Sequence, residues 1–335
     1  MKFDDHIVTD LAINLAKVGE ALGIHNLDPT SGTIFITSAA DVVGHRVATR
    51  LLNAGYPTLR IGVTDRTPFE GFNKLGAELA DFDWIDETTY TKALVGVKSI
   101  FCTAPHIRRW KHKFPVFLKA CEAAGVKHFV KISFYHARRS GDIFQEVPFV
   151  KAHGDCDERL ATGQNTMSFT ILSASHFMSN PLTYQGYCLR ADQKPAVYYG
   201  ASGGKGVNYV SPNDVAEVGV RVLLCPKSHY NKEYTLTGPN AITDQHVSSL
   251  LSSYLKKPIM FVDQPLHTFS DGEKMGGDAE WFVEDLVAME KAKSTGKEEL
   301  MAFASNDIEV ICGHPAEDYE EYLQHTDFMS APEVC

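Results

Sequence analysis

The sequence predicts an α/β chain: a doubly wound parallel sheet followed by a smaller α/β lobe. Three observations predict it. Thr33 to Thr37 is a short, β-branched apolar run of the kind buried on both faces of a parallel sheet. Directly after it, Val43, Val47, Leu51 and Leu52 recur at helical spacing and stop at Gly55. Further short apolar runs, at Thr58 to Val63, Ser99 to Thr103, Lys127 to Ser133 and Phe169 to Phe177, alternate with helical stretches, as in parallel βαβ units.

Composition narrows the class. A length of 335 residues predicts about two structural units, and 44% apolar against 22% charged residues supports a sizeable core. The net charge of −10 argues against a general nucleic-acid binder, which would be basic. Seven cysteines, an odd number without a Cys-x-x-Cys pair, point to a reducing, cytoplasmic setting. No apolar run of membrane-spanning length occurs, and the acidic start Met1-Lys-Phe-Asp-Asp lacks the order of a signal peptide.

Taken in order, residues 6 to 25 carry Ile7, Leu11, Leu15, Val18 and Leu22 at helical spacing and end at Gly23. This helix lies in an N-terminal extension, residues 1–30. It is expected to pack over the sheet bottom, or alternatively to dock a protein partner. The strand and helix that follow are joined by Ser38-Ala-Ala-Asp41-Val-Val-Gly44. Such a strand, tight turn and helix is where a dinucleotide fold places its pyrophosphate, on the free amides of a helix N-terminus. Of the three glycines expected there, only Gly44 is present. Asp41 brings a carboxylate to where backbone would meet a dianionic linker. Like charges about 4 Å apart repel by ~1 kcal/mol in water and ~4 kcal/mol near a protein surface, a loss of about tenfold to a thousandfold in affinity. Arg46 or His45 is close enough in sequence to neutralise it. Without a ligand, Asp41 is a good helix N-cap.

Thr37-Ser-Ala-Ala-Asp-Val-Val-Gly44 resembles the Thr-Gly-Ala-Thr-Gly-x-x-Gly turn of the NmrA-like proteins, which are atypical short-chain dehydrogenase/reductases. Gly76 to Asp83, Gly125 to Ser133 and Asp214 to Gly219 follow that family's pattern in order. Gly313-His-Pro-Ala-Glu-Asp-Tyr-Glu-Glu-Tyr322 is similar to its closing signature, so the resemblance runs from about Gly32 to His325. It implies an NAD(P)-binding Rossmann-like domain over 31–180, with parts of 207–237 joining the sheet, and a substrate-side lobe over 181–335. It also implies cofactor contacts from Thr37, Ser38, Asp41, Val43 and Gly44. After the second strand the family commonly holds the 2′-phosphate of NADP with an Arg. Here Thr64 takes that place and Arg66 lies two on, while Asp65 suits the ribose hydroxyl of NAD. The choice between NADP and NAD stays open, and both residues equally suit a polar turn. A helix is expected around Phe69 to Leu79.

Asp83 matches the acid that closes the family's third strand, near the adenine. Thr103 and Ala104 end the fourth strand on the cofactor side, and the basic stretch His106 to Lys113 follows. That stretch is placed to attract an anion, or is a solvated face. Ser133 ends the fifth strand on the same side. Tyr135-x-x-x-Arg139 is out of frame for the superfamily's Tyr-x-x-x-Lys proton donor. Lys151 aligns within a residue with a catalytic Lys of isoflavone-reductase-like relatives, and His153 is a second proton carrier; a surface Lys and a satisfied His are the plainer roles. Phe177 and Asn180 keep the family's Phe-x-x-Asn ending and are expected to shape the pocket wall, although Ser173-Ala174 replaces its Arg-Pro.

In the second half, Val207 to Val210, Tyr234 to Thr237 and 258–262 read as strands. Val215 to Leu224, Thr243 to Leu255, 278–294 and 315–325 read as helices. No His/Cys/Glu set has metal-ligand spacing and no Gly-x-Ser-x-Gly elbow occurs. Two functions are therefore expected. One is hydride transfer from NAD(P)H to a small carbonyl, quinone or other unsaturated substrate. The alternative is a non-catalytic NmrA-like sensor, regulatory or assembly protein with weakened or lost dinucleotide binding.

Overall fold

The computed structural model of the chain describes residues 15–25, 27–28, 32–104, 107, 110–138, 143–163, 165–181, 189, 195–276, 279–297 and 301–325. The chain divides into two compact units. Their described residues fall in Met1–Ile132, Cys156–Leu172 and Ala216–Tyr234, and in Ser133–Asp155, Ser173–Val215 and Thr235–Cys335.

The frame is a seven-stranded sheet. In chain order its strands are β1 (Thr33–Ile36), β2 (Leu59–Val63), β3 (Glu78–Asp81), β4 (Val97–Cys102), β5 (His128–Phe134), β6 (Ser168–Ala174) and β10 (Lys232–Leu236), and they lie side by side as β10-β6-β5-β4-β1-β2-β3. Neighbours from β3 through β5 pair in parallel. The order reverses between β1 and β4, the switch point outside whose strand ends open α/β sheets take ligands. All five residues of β2 and all seven of β5 are buried, which is why they read as unbroken apolar runs rather than alternations.

Helix α1 (Val42–Asn53) buries Val43, Val47, Ala48, Leu51 and Leu52. It stops in a Schellman turn: Gly55 has φ +79°, its amide donates to Leu52, and the Tyr56 amide donates to Leu51. The helix expected over Phe69 to Leu79 is shorter, α2 (Glu70–Lys74). Gly76, at φ +103°, turns the chain there, and Leu79, which extended the helical pattern, belongs to β3 instead. Helix α4 (Trp110–Ala124) precedes β5, and α5 (Pro148–Thr162) precedes β6, with a short α3 (Tyr90–Ala93) before β4.

In the second unit β7 (His176–Phe177) pairs parallel with β9 (Gly206–Val210), which pairs antiparallel with β11 (Ala241–Thr243). There too, β8 (Ala196–Gly200) pairs parallel with β12 (Ile259–Asp263). Helix α6 (Pro212–Leu224) straddles the two units, with Pro212 to Val215 in the second and the remainder in the first. Thr243 caps α7 (Asp244–Leu255) by accepting the His246 amide. Helices α9 (Glu280–Thr295) and α11 (Tyr319–His325) lie where the periodicity placed them. Helices α8 (Leu266–Gly276) and α10 (Asp307–Cys312) were not foreseen: one buries only Phe269 and the other has six residues, so neither shows a full apolar stripe. Near the start, 15–22 is helical with Val18 fully buried; residues 6–14 of the expected helix lie outside the described residues. Among the described residues no helix is long and apolar enough to cross a membrane. Cys102, Cys121, Cys156, Cys225 and Cys312 are free thiols.

Candidate functional site

In the first unit, Thr37, Ser38, Asp41, Val43, Gly44 and Thr103 come together at the head of α1. Thr37 Oγ1 donates to the Thr103 carbonyl and accepts from the Thr103 amide, both at 3.0 Å, which pins the end of β1 to the end of β4. Thr103 Oγ1 in turn reaches the Ser38 carbonyl at 3.4 Å, and Ser38 Oγ accepts the Ala40 amide at 3.2 Å. Gly44 sits so close to this turn that a Cβ there would collide with the Ser38 carbonyl oxygen and lie 2.8 Å from Asp41 Oδ2. Ala104 is half-buried beside Thr103.

Asp41 is the N-cap, in extended backbone conformation. Its Oδ1 accepts the Val43 amide at 3.0 Å and the Gly44 amide at 2.8 Å. The carboxylate thus fills the amides that the fold otherwise offers to a phosphate oxygen. Oδ2 is buried with no partner in hydrogen-bond geometry. Burial pushes the Asp41 carboxyl above the usual carboxylate range, opposed by the Gly44 amide, the nearby Thr103 hydroxyl and the Val43 amide. His45 lies edge-on to Phe72 and is held below the usual imidazole range by burial and by Arg46. Arg46 donates to the Val42 carbonyl at 2.9 Å.

The close approach at Gly44, the tied strand ends and the position at the sheet's switch point fit a dinucleotide. Asp41's carboxylate is the group set against its pyrophosphate.

The other expected contacts are more dispersed. Asp65 is exposed and accepts the Thr67 amide at 2.9 Å, a bond that holds its carboxyl below the usual range. Arg66 pairs with Asp81 at 2.6 Å and donates to the Leu79 carbonyl at 2.9 Å, which ties the turn after β2 to β3. Asp83 lies two residues past β3 and accepts the Ile85 amide at 2.8 Å, a turn-building role. Within the basic stretch, Trp110 is buried and Lys113 pairs with Glu87 at 2.7 Å; His106, Arg108 and Arg109 lie outside the described residues.

Ser133, Lys151, His153, Phe177 and Asn180 belong to the second unit. Lys151 and His153 stand two apart on α5, which turns them to different faces. The Lys151 side chain is 58% exposed, its Nζ 3.9 Å from Asp155. His153 is 4% exposed, its ring 4.8 Å edge-on from Phe149. Ser133 is buried, and Phe177 and Asn180 are half-buried. Tyr135, already out of frame, is fully buried.

This unit also holds a buried polar group absent from the expected site, which includes His176, Tyr198, Tyr209, Asp244, Glu290 and Lys293. Its members lie on five separate elements, so no local motif announces them.

Residues 39–226 match the family described as NAD(P)H-binding. The chain is 24% identical over 291 residues to an NAD(P)H azoreductase from Xenophilus azovorans, covering 87% of this chain and 96% of that protein. It is 25% identical over 305 residues to the prestalk A differentiation protein A of Dictyostelium discoideum, covering 90% and 94%. Among solved structures, the Escherichia coli NADPH-dependent quinone oxidoreductase complexed with NADPH superimposes with a TM-score of 0.73 at 22% identity, over 88% of this chain and 99% of that one. The Citrobacter triphenylmethane reductase gives 0.72 at 22% identity, over 87% and 98%.

Proposed function

The chain belongs to the NAD(P)H-binding family, of the NmrA-like, atypical short-chain dehydrogenase/reductase type, and we propose that it is an oxidoreductase that reduces a small carbonyl, quinone or other unsaturated substrate. The observation that carries this is the head of α1, where Gly44 lies against the Ser38 carbonyl and the Thr37–Thr103 exchange fixes both strand ends at the switch point. The azoreductase relative supports the same reading.

When bound, the dinucleotide supplies a hydride from its nicotinamide ring. This chain's residues do the rest. The Val43 and Gly44 amides, once Asp41 turns off them, hold a phosphate oxygen. Ser38 adds a hydroxyl donor beside them. Arg66, released from Asp81, receives a 2′-phosphate, or Asp65 a ribose hydroxyl. Lys151, exposed on α5, delivers a proton from its ammonium Nζ to the developing oxyanion of the substrate. His153, buried against Phe149, orients that segment of the helix. Phe177 and Asn180 line the substrate side, and the protein works in the reducing cytoplasm.

The test is oxidation of NADPH and of NADH, followed by absorbance, with a panel of quinones, azo dyes and aromatic ketones. Acceptor-dependent oxidation is expected for at least one class. Saturable dinucleotide binding without turnover on any acceptor would overturn the reading.

A specific observation favours a second reading, a non-catalytic sensor or regulatory protein: Asp41 satisfies the α1 amides without any cofactor. The Dictyostelium relative is named for differentiation rather than for a reaction. In this reading the N-terminal segment over residues 6–25 docks a protein partner.

A further inference from the structure

The polar group of the second unit surrounds a cavity of about 80 Å³. That volume holds a few waters or a small organic group. Its charges are unequal. Asp244 and Glu290 line it with two buried carboxyl groups, and Lys293 is the one lysine or arginine among the lining residues. Lys293 Nζ pairs with Glu290 Oε1 at 2.6 Å, and the other Glu290 oxygen accepts the Ala201 amide at 2.7 Å. Asp244 Oδ1 accepts both the Tyr198 hydroxyl at 3.0 Å and the Tyr209 hydroxyl at 2.9 Å. Asp244, Glu290, Lys293, Tyr198 and Tyr209 are each less than 10% exposed, so these charges are held away from water, where an imbalance is costly.

His176 also lines the cavity and adds no positive charge. Burial, with Lys293 nearby, lowers its pKa to about 3. Its Nε2 contacts the Met289 sulfur at 3.3 Å, and the Asn208 backbone lies beside the ring. The Asp244 carboxylate is ionised: burial works against its charge, but Lys293, Ser202 and the two tyrosines outweigh burial and hold its pKa below the usual value. The rings of Tyr198, Tyr209 and Phe269 form part of the wall. Excess carboxylate beside aromatic faces is the chemistry that receives an organic cation.

We propose that this cavity is a binding site for a small organic ammonium group, with Asp244 as its counter-ion and the aromatic rings as its walls. An anion is excluded by the carboxylates, and a neutral molecule of the same size forgoes the charge. The site is formed by residues of the second unit alone, and the proposal stands without the reductase reading.

The experiment is calorimetric titration of the full chain, without dinucleotide, with ethylammonium chloride, ethanol and sodium acetate at matched ionic strength. Ethylammonium is expected to bind saturably at about millimolar concentration, at least about tenfold more tightly than ethanol, and acetate not at all. Asp244→Asn should lose that preference. Should this variant fail to fold, Leu286→Trp, which fills the cavity from its half-buried wall and replaces no charged residue, should abolish binding on its own. Equal affinity for ethanol or acetate, no saturable ethylammonium binding, or undiminished binding in Leu286→Trp would overturn the proposal.

Discussion

Asp41 Oδ1 accepts the Gly44 amide at 2.8 Å, so the head of α1 already holds an anion of its own. Replacing Asp41 therefore separates two effects that act in opposite directions. Asp41→Gly removes the competing carboxylate and restores the backbone approach, and dinucleotide affinity is expected to rise about tenfold or more. The same change removes the N-cap and is expected to cost a few tenths of a kcal/mol, while Asp41→Ala costs ~1 kcal/mol. Fluorescence titration with NADPH and NADH reads the first effect, and urea unfolding reads the second. Unchanged or weaker binding in Asp41→Gly would show that the carboxylate does not obstruct the site.

The same residue predicts a pH dependence. Its carboxyl is raised above the ordinary value of 3.8 by burial, so the folded protein binds this proton more tightly than the unfolded chain does. The contribution of Asp41 to stability is therefore most favourable at low pH, declines as pH rises from the unfolded to the folded pKa, and stays level above it. Protonation also cancels the charge facing a phosphate. Dinucleotide affinity should rise as pH falls from neutrality towards that raised pKa, and Asp41→Asn should flatten the profile. A parallel slope in the natural protein and in Asp41→Asn would assign the dependence to other groups.

A third prediction concerns the frame. Lys131 on β5 and Asp157 on α5 form an ion pair at 2.6 Å with both side chains fully buried, and Lys131 Nζ lies 5.6 Å from the Trp110 ring centroid. Removing one partner strands the other charge in the core. Lys131→Met is expected to destabilise by ~3–5 kcal/mol, while Lys131→Met combined with Asp157→Leu should recover much of that loss. Denaturant midpoints for the two single variants and the double variant form the cycle that checks it.

The unequal legibility of these features has a physical cause. Strands β2 and β5 are buried along their whole length, so burial alone wrote them into the sequence as apolar runs. Helix α1 carried its own start and stop in Asp41 and Gly55. The turn at Gly76 was a weaker signal, because Leu75 and Leu79 continue a helical spacing across it until the left-handed backbone breaks the chain. Asp41 was visible as an anomaly, but which atoms its carboxylate meets is a matter of side-chain geometry. Arg66 was legible as a cation and not as the partner of Asp81, because that pairing needs β2 and β3 side by side. Lys131, Asp157 and the Asp244 group were invisible for a related reason. Burying a charge requires partners brought from distant elements, and no local period encodes them.

The last prediction separates Lys151 from His153, which the sequence offered as equals. Lys151 is 58% exposed and makes one loose approach, 3.9 Å to Asp155, so its removal costs little stability. If it protonates the reduced substrate, Lys151→Met should lower kcat by about 10²-fold or more, with KM and the melting temperature nearly unchanged. The loss should also ease when a more activated quinone, which needs less proton assistance, replaces an aromatic ketone. His153 is 4% exposed against Phe149, so His153→Gln should act through packing, lowering the melting temperature and changing activity only in proportion. The converse pattern, with Lys151→Met fully active and His153→Gln folded but inactive, would move the proton to the imidazole.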